Sequence, residues 1–225
     1  MKSAAPARRN AGFWDRVTSV LKPGGAAKNS AGPRRLGRRG AGGDGHAQIT
    51  PLSTRTARAQ QIDEAFEAGW SQCELRRVSM AVVVIEVDRF REYGRAYGPV
   101  AAENCLLAVQ TAIRAALPRS EDFLGRQGRA AFTVLLPDYP MLMAQAAAQK
   151  IAAAIAEAGI AHKESHRGQV TVSVGVAMAN PRGETNRNVL TVAQAALERA
   201  RGRGLNRIEI IDMRPHQKAM RRGAA

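Results

Sequence analysis

Two acids stand close together at the end of an apolar run, Glu86 and Asp88 in "VVVIEVDRF". Carboxylates so placed can hold a hard divalent cation, because such ions take oxygen ligands at strict distances. The plainer reading is a pair of solvated or ion-paired acids at a strand end. Further along, "RSED" puts the Arg119 guanidinium and the Asp122 carboxylate three residues apart. A guanidinium donates two parallel bonds and a carboxylate accepts two, so together they can grip a planar group that presents acceptors and donors edge-on. Alone, Arg-x-x-Asp reads equally well as a surface ion pair that contributes little. Next comes "FLGRQGRAAFTVLLP", Phe123 to Pro137, which reads strand, turn, strand. Its turn is Gly128-Arg129-Ala130-Ala131. Turns are usually polar, so an arginine and two alanines there are unexpected, and none of them offers a carboxylate.

These residues need elements to position them. Ile62, Phe66, Trp70 and Leu75 predict one face of a helix over 56–75. "SMAVVVIEV" (79–87) is a β-branched run, as expected of a strand buried on both faces. Val100, Leu106, Leu107, Val109, Ile113 and Leu117 predict a helix over 99–117 that Pro118 ends. After the hairpin, an alanine-rich helix over 140–158 closes at Gly159. "QVTVSVGVAM" (169–178) predicts a strand with one more polar face, 187–202 a helix, and "NRIEIID" (206–212) a last strand. A hairpin in the middle of this order excludes a purely parallel sheet. The expected fold class is α/β, with a mixed sheet, a split βαβ core and flanking helices.

The chain has 225 residues and is 45% hydrophobic, enough for one domain with extensions. Lys and Arg total 34 against 19 Asp and Glu, a formal charge of +15 that bears on anionic partners and not on fold. Residues 1–48 read as a disordered basic tail, with ten Lys/Arg against two Asp/Glu. Within it, Phe13, Trp14, Val17, Val20 and Leu21 mark a short amphipathic segment over 12–22, stopped by Pro23-Gly24. It could dock on a protein partner, a membrane surface or the body of the protein itself. Residues 49–212 read as the domain and 213–225 as a basic C-terminal tail. Cys73 and Cys105 have no metal or redox spacing and read as structural thiols in a reduced, cytoplasmic setting. No apolar run suits a membrane span.

From Thr50 to Asp212 the sequence resembles a GGDEF domain, the catalytic domain of bacterial diguanylate cyclases. Five segments carry the resemblance in one order. "TPLSTRTAR" (50–58) stands where the family has Asp-Pro-Leu-Thr-Gly-Leu-x-Asn-Arg, and "VIEVDRFREYGRAYG" (84–98) where it has an Asp-x-Asp-x-Phe-Lys strand-to-helix segment. "RQGRAAFTVLLP" (126–137) takes the place of the Arg-Tyr-Gly-Gly-Asp/Glu-Glu-Phe hairpin. "VTVSVGVA" (170–177) and "AQAALERARGRGLNRI" (193–208) match the two C-terminal segments. The resemblance implies a ferredoxin-like, palm-type sheet on which two GTP molecules are joined into cyclic di-GMP with Mg²⁺.

It also implies that this copy has lost the chemistry. The family's two metal-binding carboxylates fall on Glu86 and on Ala130, and Ala131 replaces another acid. The second turn glycine, after Gly128, is Arg129, whose side chain would crowd an approaching phosphate. The guanine-contacting Asn and Asp fall on Gly94 and Glu103, and two phosphate-binding positions on Arg201 and Leu205. By contrast Arg119 and Asp122 have the spacing of the family's inhibitory site, where that pair binds a guanine of cyclic di-GMP. Lys150, and less directly Arg126, are expected to assist. The expected function is therefore a non-catalytic cyclic di-GMP effector with no metal or other cofactor, engaging a protein partner through its tail. A ligand-independent scaffold is the alternative, and a residual cyclase built on Glu86, Asp88 and Glu103 a more remote one. Nucleic acid or a membrane surface is only weakly suggested as partner, and a homodimer stays open.

Overall fold

The structure, a computed structural model, describes residues 51–214, with side chains from residue 56 onward. The tail, its Phe13–Leu21 segment and the end of the C-terminal extension lie outside the described residues. Nine elements follow in chain order: α1 (Pro51–Arg76), β1 (Met80–Val87), α2 (Phe90–Ala116), β2 (Phe123–Gln127), β3 (Ala131–Pro137), α3 (Met141–Glu157), β4 (Val172–Ala179), α4 (Asn188–Gly202) and β5 (Ile208–Asp212).

The strands form one sheet in the order β2-β3-β1-β4-β5. β1 lies at its centre, antiparallel to β3 (Met80 opposite Pro137, Glu86 opposite Ala131) and to β4 (Met80 opposite Ala179, Val87 opposite Val172). β2 is antiparallel to β3, and β5 runs parallel to β4 at the far edge. Thus β3 lies between β1 and β2, and β1 between β3 and β4. This is the split βαβ arrangement of a ferredoxin-like fold, with α4–β5 added.

The alternation of β1 sorts the core into two layers. Ala81, Val83, Ile85 and Val87 pack with α2 and α3, through Leu106, Val109, Ile113, Ala148 and Ile151. Met80, Val82 and Val84 pack with α1 and α4, through Phe66, Trp70, Val189 and Leu197. Both thiols are free and buried, and burial pushes Cys105 up to about 11 and raises Cys73 as well.

Several sequence expectations need correction. Leu75 is 86% exposed, because a fifth residue beyond Trp70 turns well away from the face that Phe66 and Trp70 define; Cys73 fills that place. Val100 and Leu107 are exposed for the same reason, since α2 buries the row through Leu106, Val109 and Ile113. α2 also begins earlier than Pro99, and breaks at Gly98, whose φ of +83° needs glycine. Finally, β4 has no solvent face: every residue from Val172 to Ala179 is buried. The polar side of that strand is taken up by hydrogen bonds and, at Gly175, by the backbone of α4.

A Cβ at Gly175 would overlap the Leu197 amide nitrogen and the Ala193 carbonyl oxygen. Neither can move without shifting the helix. Gly175→Ala should therefore destabilise the domain by about 3 kcal/mol, the upper range for overpacking, and lower Tm by roughly 6–12 °C. Thermal unfolding checks this; an unchanged Tm would mean that α4 sits farther from the sheet.

Candidate functional site

The two acids that open the sequence reading end in different environments. Asp88 follows β1 and is buried. Its Oδ1 accepts from the Ser173 hydroxyl at 2.7 Å, and its Oδ2 from the Thr171 hydroxyl at 2.7 Å and the Asn206 amide at 2.9 Å. It is neither solvated nor ion-paired. It clamps the end of β1 to β4 and to the turn entering β5. Glu86 is half-buried and accepts from Arg201 Nη1 at 2.9 Å. Burial raises its pKa, against the pull of Arg201, while Glu198 and Asp88 push it further up.

The hairpin turn lies beside them. Gly128 adopts a left-handed φ of +57°. Ala130 is buried, and its carbonyl accepts from the Val87 amide at 3.0 Å. Ala131 faces Glu86 across the sheet. A divalent cation does not fit this set. Ala130 and Ala131 bring no side-chain oxygen, Glu86 is neutralised by Arg201, and Asp88 is saturated with donors. Among the described residues no group of three or more His, Cys, Asp or Glu is disposed to hold a metal.

Gly94 and Glu103, distant in sequence from the hairpin, line one cleft with Arg126 and Arg129. Glu103 is held by Arg126 in a two-pronged ion pair, with Nη2 to Oε2 at 3.0 Å, and that contact draws its carboxyl below the usual range. Arg126 therefore belongs to this cleft. It does not join Arg119 and Asp122, which lie at the opposite end of β2, because alternation turns Arg126 toward α2 with Leu124. Leu205 lines a separate hollow with Asp88, Arg89 and His166.

Arg119 and Asp122 do come together, in the turn between α2 and β2. The Arg119 amide donates to Asp122 Oδ2 at 3.2 Å, and the Tyr139 hydroxyl donates to the same oxygen at 2.7 Å. The carboxylate is buried, and its Oδ1 has no hydrogen-bond partner. The Arg119 guanidinium donates to the Pro137 and Asp138 carbonyls at 3.1 and 3.3 Å and covers the Tyr139 ring at 4.6 Å. Burial, with the bond to Asp122, raises the Tyr139 hydroxyl far above its ordinary pKa. Lys150 is exposed on α3 and forms no ion pair among the described residues. Tyr139 escaped the sequence reading: nothing in its local pattern marks it as a partner of Asp122.

Together the sheet order, the strand-end acids and the hairpin define a palm-type signalling domain. The chain matches the family model described as diguanylate cyclase, GGDEF domain, over residues 46–207, and it belongs to that family. It is 26% identical over 135 residues to diguanylate cyclase A of Treponema denticola, covering 60% of this chain and 36% of that protein. It is 26% identical over 161 residues to the bifunctional diguanylate cyclase/cyclic di-GMP phosphodiesterase MucR of Pseudomonas aeruginosa, covering 72% and 22%. The chain thus spans about a third or less of these relatives. Among solved structures, the GGDEF domain of DgcB from Caulobacter crescentus, in complex with c-di-GMP, superposes with a TM-score of 0.59 at 22% identity, covering 67% of this chain and 88% of that one. Diguanylate cyclase SiaD with its activator SiaC, from Pseudomonas aeruginosa, gives 0.56 at 24%, covering 73% and 62%. Among the described residues no helix is long and apolar enough to cross a membrane.

Asp88→Ala would leave the Asn206 amide and two hydroxyls without their acceptor. A loss of about 3 kcal/mol in urea unfolding is expected, from one or more buried donors left unmet. Glu86→Ala, which removes only a partly exposed pair, should cost under about 1 kcal/mol. Equal effects would show that Asp88 is not the clamp.

Proposed function

We propose that this GGDEF domain does not make cyclic di-GMP but binds it through Arg119 and Asp122, as a signalling effector. Support for the first half comes from the hairpin end. Metal-assisted attack on an α-phosphate needs paired carboxylates, and the side chains beside the turn supply one acid, Glu86, already matched by Arg201. Arg129 stands where a phosphate would approach, and Gly94 has no side chain to read a base.

One observation carries the second half: Asp122 Oδ1 is a buried carboxylate oxygen without a donor. Leaving such a group unmet is costly. Guanine N1–H and N2–H₂ are donors of the right kind, and the neighbouring guanidinium matches guanine O6 and N7. Binding would exchange the carbonyl contacts of Arg119 for those of the base, with Lys150 as a phosphate partner. The DgcB domain is a relative by fold with c-di-GMP bound. SiaD is one with a protein activator, and here a protein partner would engage the basic residues 1–48, in the cytoplasm. Metals and other cofactors have no part in this reading.

A second reading has its own support. Arg119 and Asp122 already staple the α2–β2 turn to Tyr139 and the Asp138 carbonyl, which is what a ligand-independent interaction module would need of them.

Two measurements separate these readings. Calorimetry with cyclic di-GMP should give micromolar or tighter binding, weakened at least tenfold by Arg119→Ala, since a bidentate base contact is worth about 1–3 kcal/mol. Absence of heat with wild type, alongside a lower Tm for Arg119→Ala, supports the staple. Incubation with GTP and Mg²⁺ or Mn²⁺ should yield no dinucleotide; any turnover overturns the loss of catalysis.

A further inference from the structure

The cleft between the hairpin turn and the kinked helix α2 is untouched by the reading above. It encloses about 570 Å³, with Phe90 and Leu106 among its apolar lining. Four guanidinium groups line it, those of Arg91, Arg95, Arg126 and Arg129, against one carboxylate, Glu103. Arg126 takes that carboxylate. Arg91, Arg95 and Arg129 are exposed and form no ion pair among the described residues. Arg91 and Arg95 stand one helical turn apart, a like-charge spacing that opposes the helix unless something anionic relieves it. The Arg126 Nε–H is buried without an acceptor. Concave walls of one charge sign concentrate the field and raise the local concentration of counter-ions.

The geometry points to a binding site for a phosphorylated small molecule, held by arginines without a divalent ion. Guanidinium forks match phosphate oxygens two at a time. A cleft that holds phosphate through a metal must carry acids for the metal; this one carries none free, since Ala130 and Ala131 flank it and Glu103 is engaged. Base selectivity has no agent either. Gly94 presents no side chain, and Glu103 is not free to accept from a base. Affinity therefore resides in the phosphates. The site lies at the other end of β2 from Arg119 and Asp122 and stands independently of their role.

The test is calorimetric titration of the full chain with inorganic tripolyphosphate, ATP and GTP, first in chelator and then with excess Mg²⁺. All three should bind in chelator within about threefold of one another, because the base edge is not read. Mg²⁺ should weaken each several-fold, by neutralising the phosphates that the arginines seek. Arg129→Gly and Arg95→Ser should each weaken tripolyphosphate binding roughly tenfold, the loss of one charge-assisted contact, with Tm unchanged. The basic residues 1–48 also attract phosphate, but that attraction is indifferent to both substitutions. Absence of binding in chelator, a requirement for Mg²⁺, a GTP preference above threefold, or insensitivity to both substitutions overturns the site. Arg119→Ala should leave tripolyphosphate binding intact, so failure of the cyclic di-GMP reading and failure of this one remain separate results.

Discussion

The carboxylate of Asp88 is the constraint on which the geometry at this end of the molecule rests. One buried group ties three segments: the end of β1, the start of β4 through Thr171 and Ser173, and the turn into β5 through the Asn206 amide. A buried charge with this many donors is stabilising only because all of them converge on it. It fixes where β1 ends. The Val87 amide then meets the Ala130 carbonyl, and Arg89, in a left-handed conformation, starts α2. The position of Glu86, the hairpin turn and the mouth of the arginine-lined cleft all follow. Protonation or metal binding at Asp88 would compete with these donors, which is why a residue that resembles half of a metal pair acts as a structural post.

With Asp88 committed, the charge balance at the strand end depends on Glu86 alone. Its partner Arg201 comes from the last turn of α4, where a cation also favours the helix dipole. Across the turn the next cations are Arg126 and Arg129, and their nearest acid is Glu103. The excess at the hairpin is thus positive. Replacing acids by alanines and a glycine by arginine reverses the sign of a region that metal-assisted chemistry needs negative. The fold tolerates this reversal because the positions lie at the rim: the turn's backbone hydrogen bond from Val87 to Ala130 is independent of side chain.

What the sequence disclosed was the pattern of local periods. The β-branched run of β1, the Gly128 turn, the alanine face of α3 and the element order follow from alternation, helical spacing and glycine, all of which act over a few residues. Errors came where a partner is remote. Leu75, Val100 and Leu107 look like core residues until the row actually buried is known. Thr171 and Ser173 look like a solvent face until Asp88, more than eighty positions earlier, is brought against them. Arg126 looked available to Arg119 along the chain, yet strand alternation and Glu103 hold it at the other end of β2. Arg91 and Arg95 were invisible as cleft residues because only the Gly98–Pro99 break, which tilts one part of α2 against the other, sets them opposite the hairpin.

The same reasoning sets terms for a ligand at Arg119. Its guanidinium reaches the Asp138 carbonyl, and the Asp138 carboxylate is gripped by Arg76 at 2.7 Å, at the end of α1. Asp138 itself has a φ of +60°, uncommon for a residue with a side chain. A ligand must therefore draw Arg119 from two carbonyls, each contact worth about 1.5–3 kcal/mol when the donor is charged. In return it offers donors to Asp122 Oδ1, relieving a penalty of about 1–3 kcal/mol or more for a charged group, and restores two acceptors to Arg119. The exchange is near balance without the rest of the ligand, so affinity must come from stacking and from phosphate contacts such as Lys150. Near-balance is also what makes such a contact responsive: occupancy would loosen the Arg119–Asp138–Arg76 chain and reach α1, the element joined directly to the basic N-terminal residues.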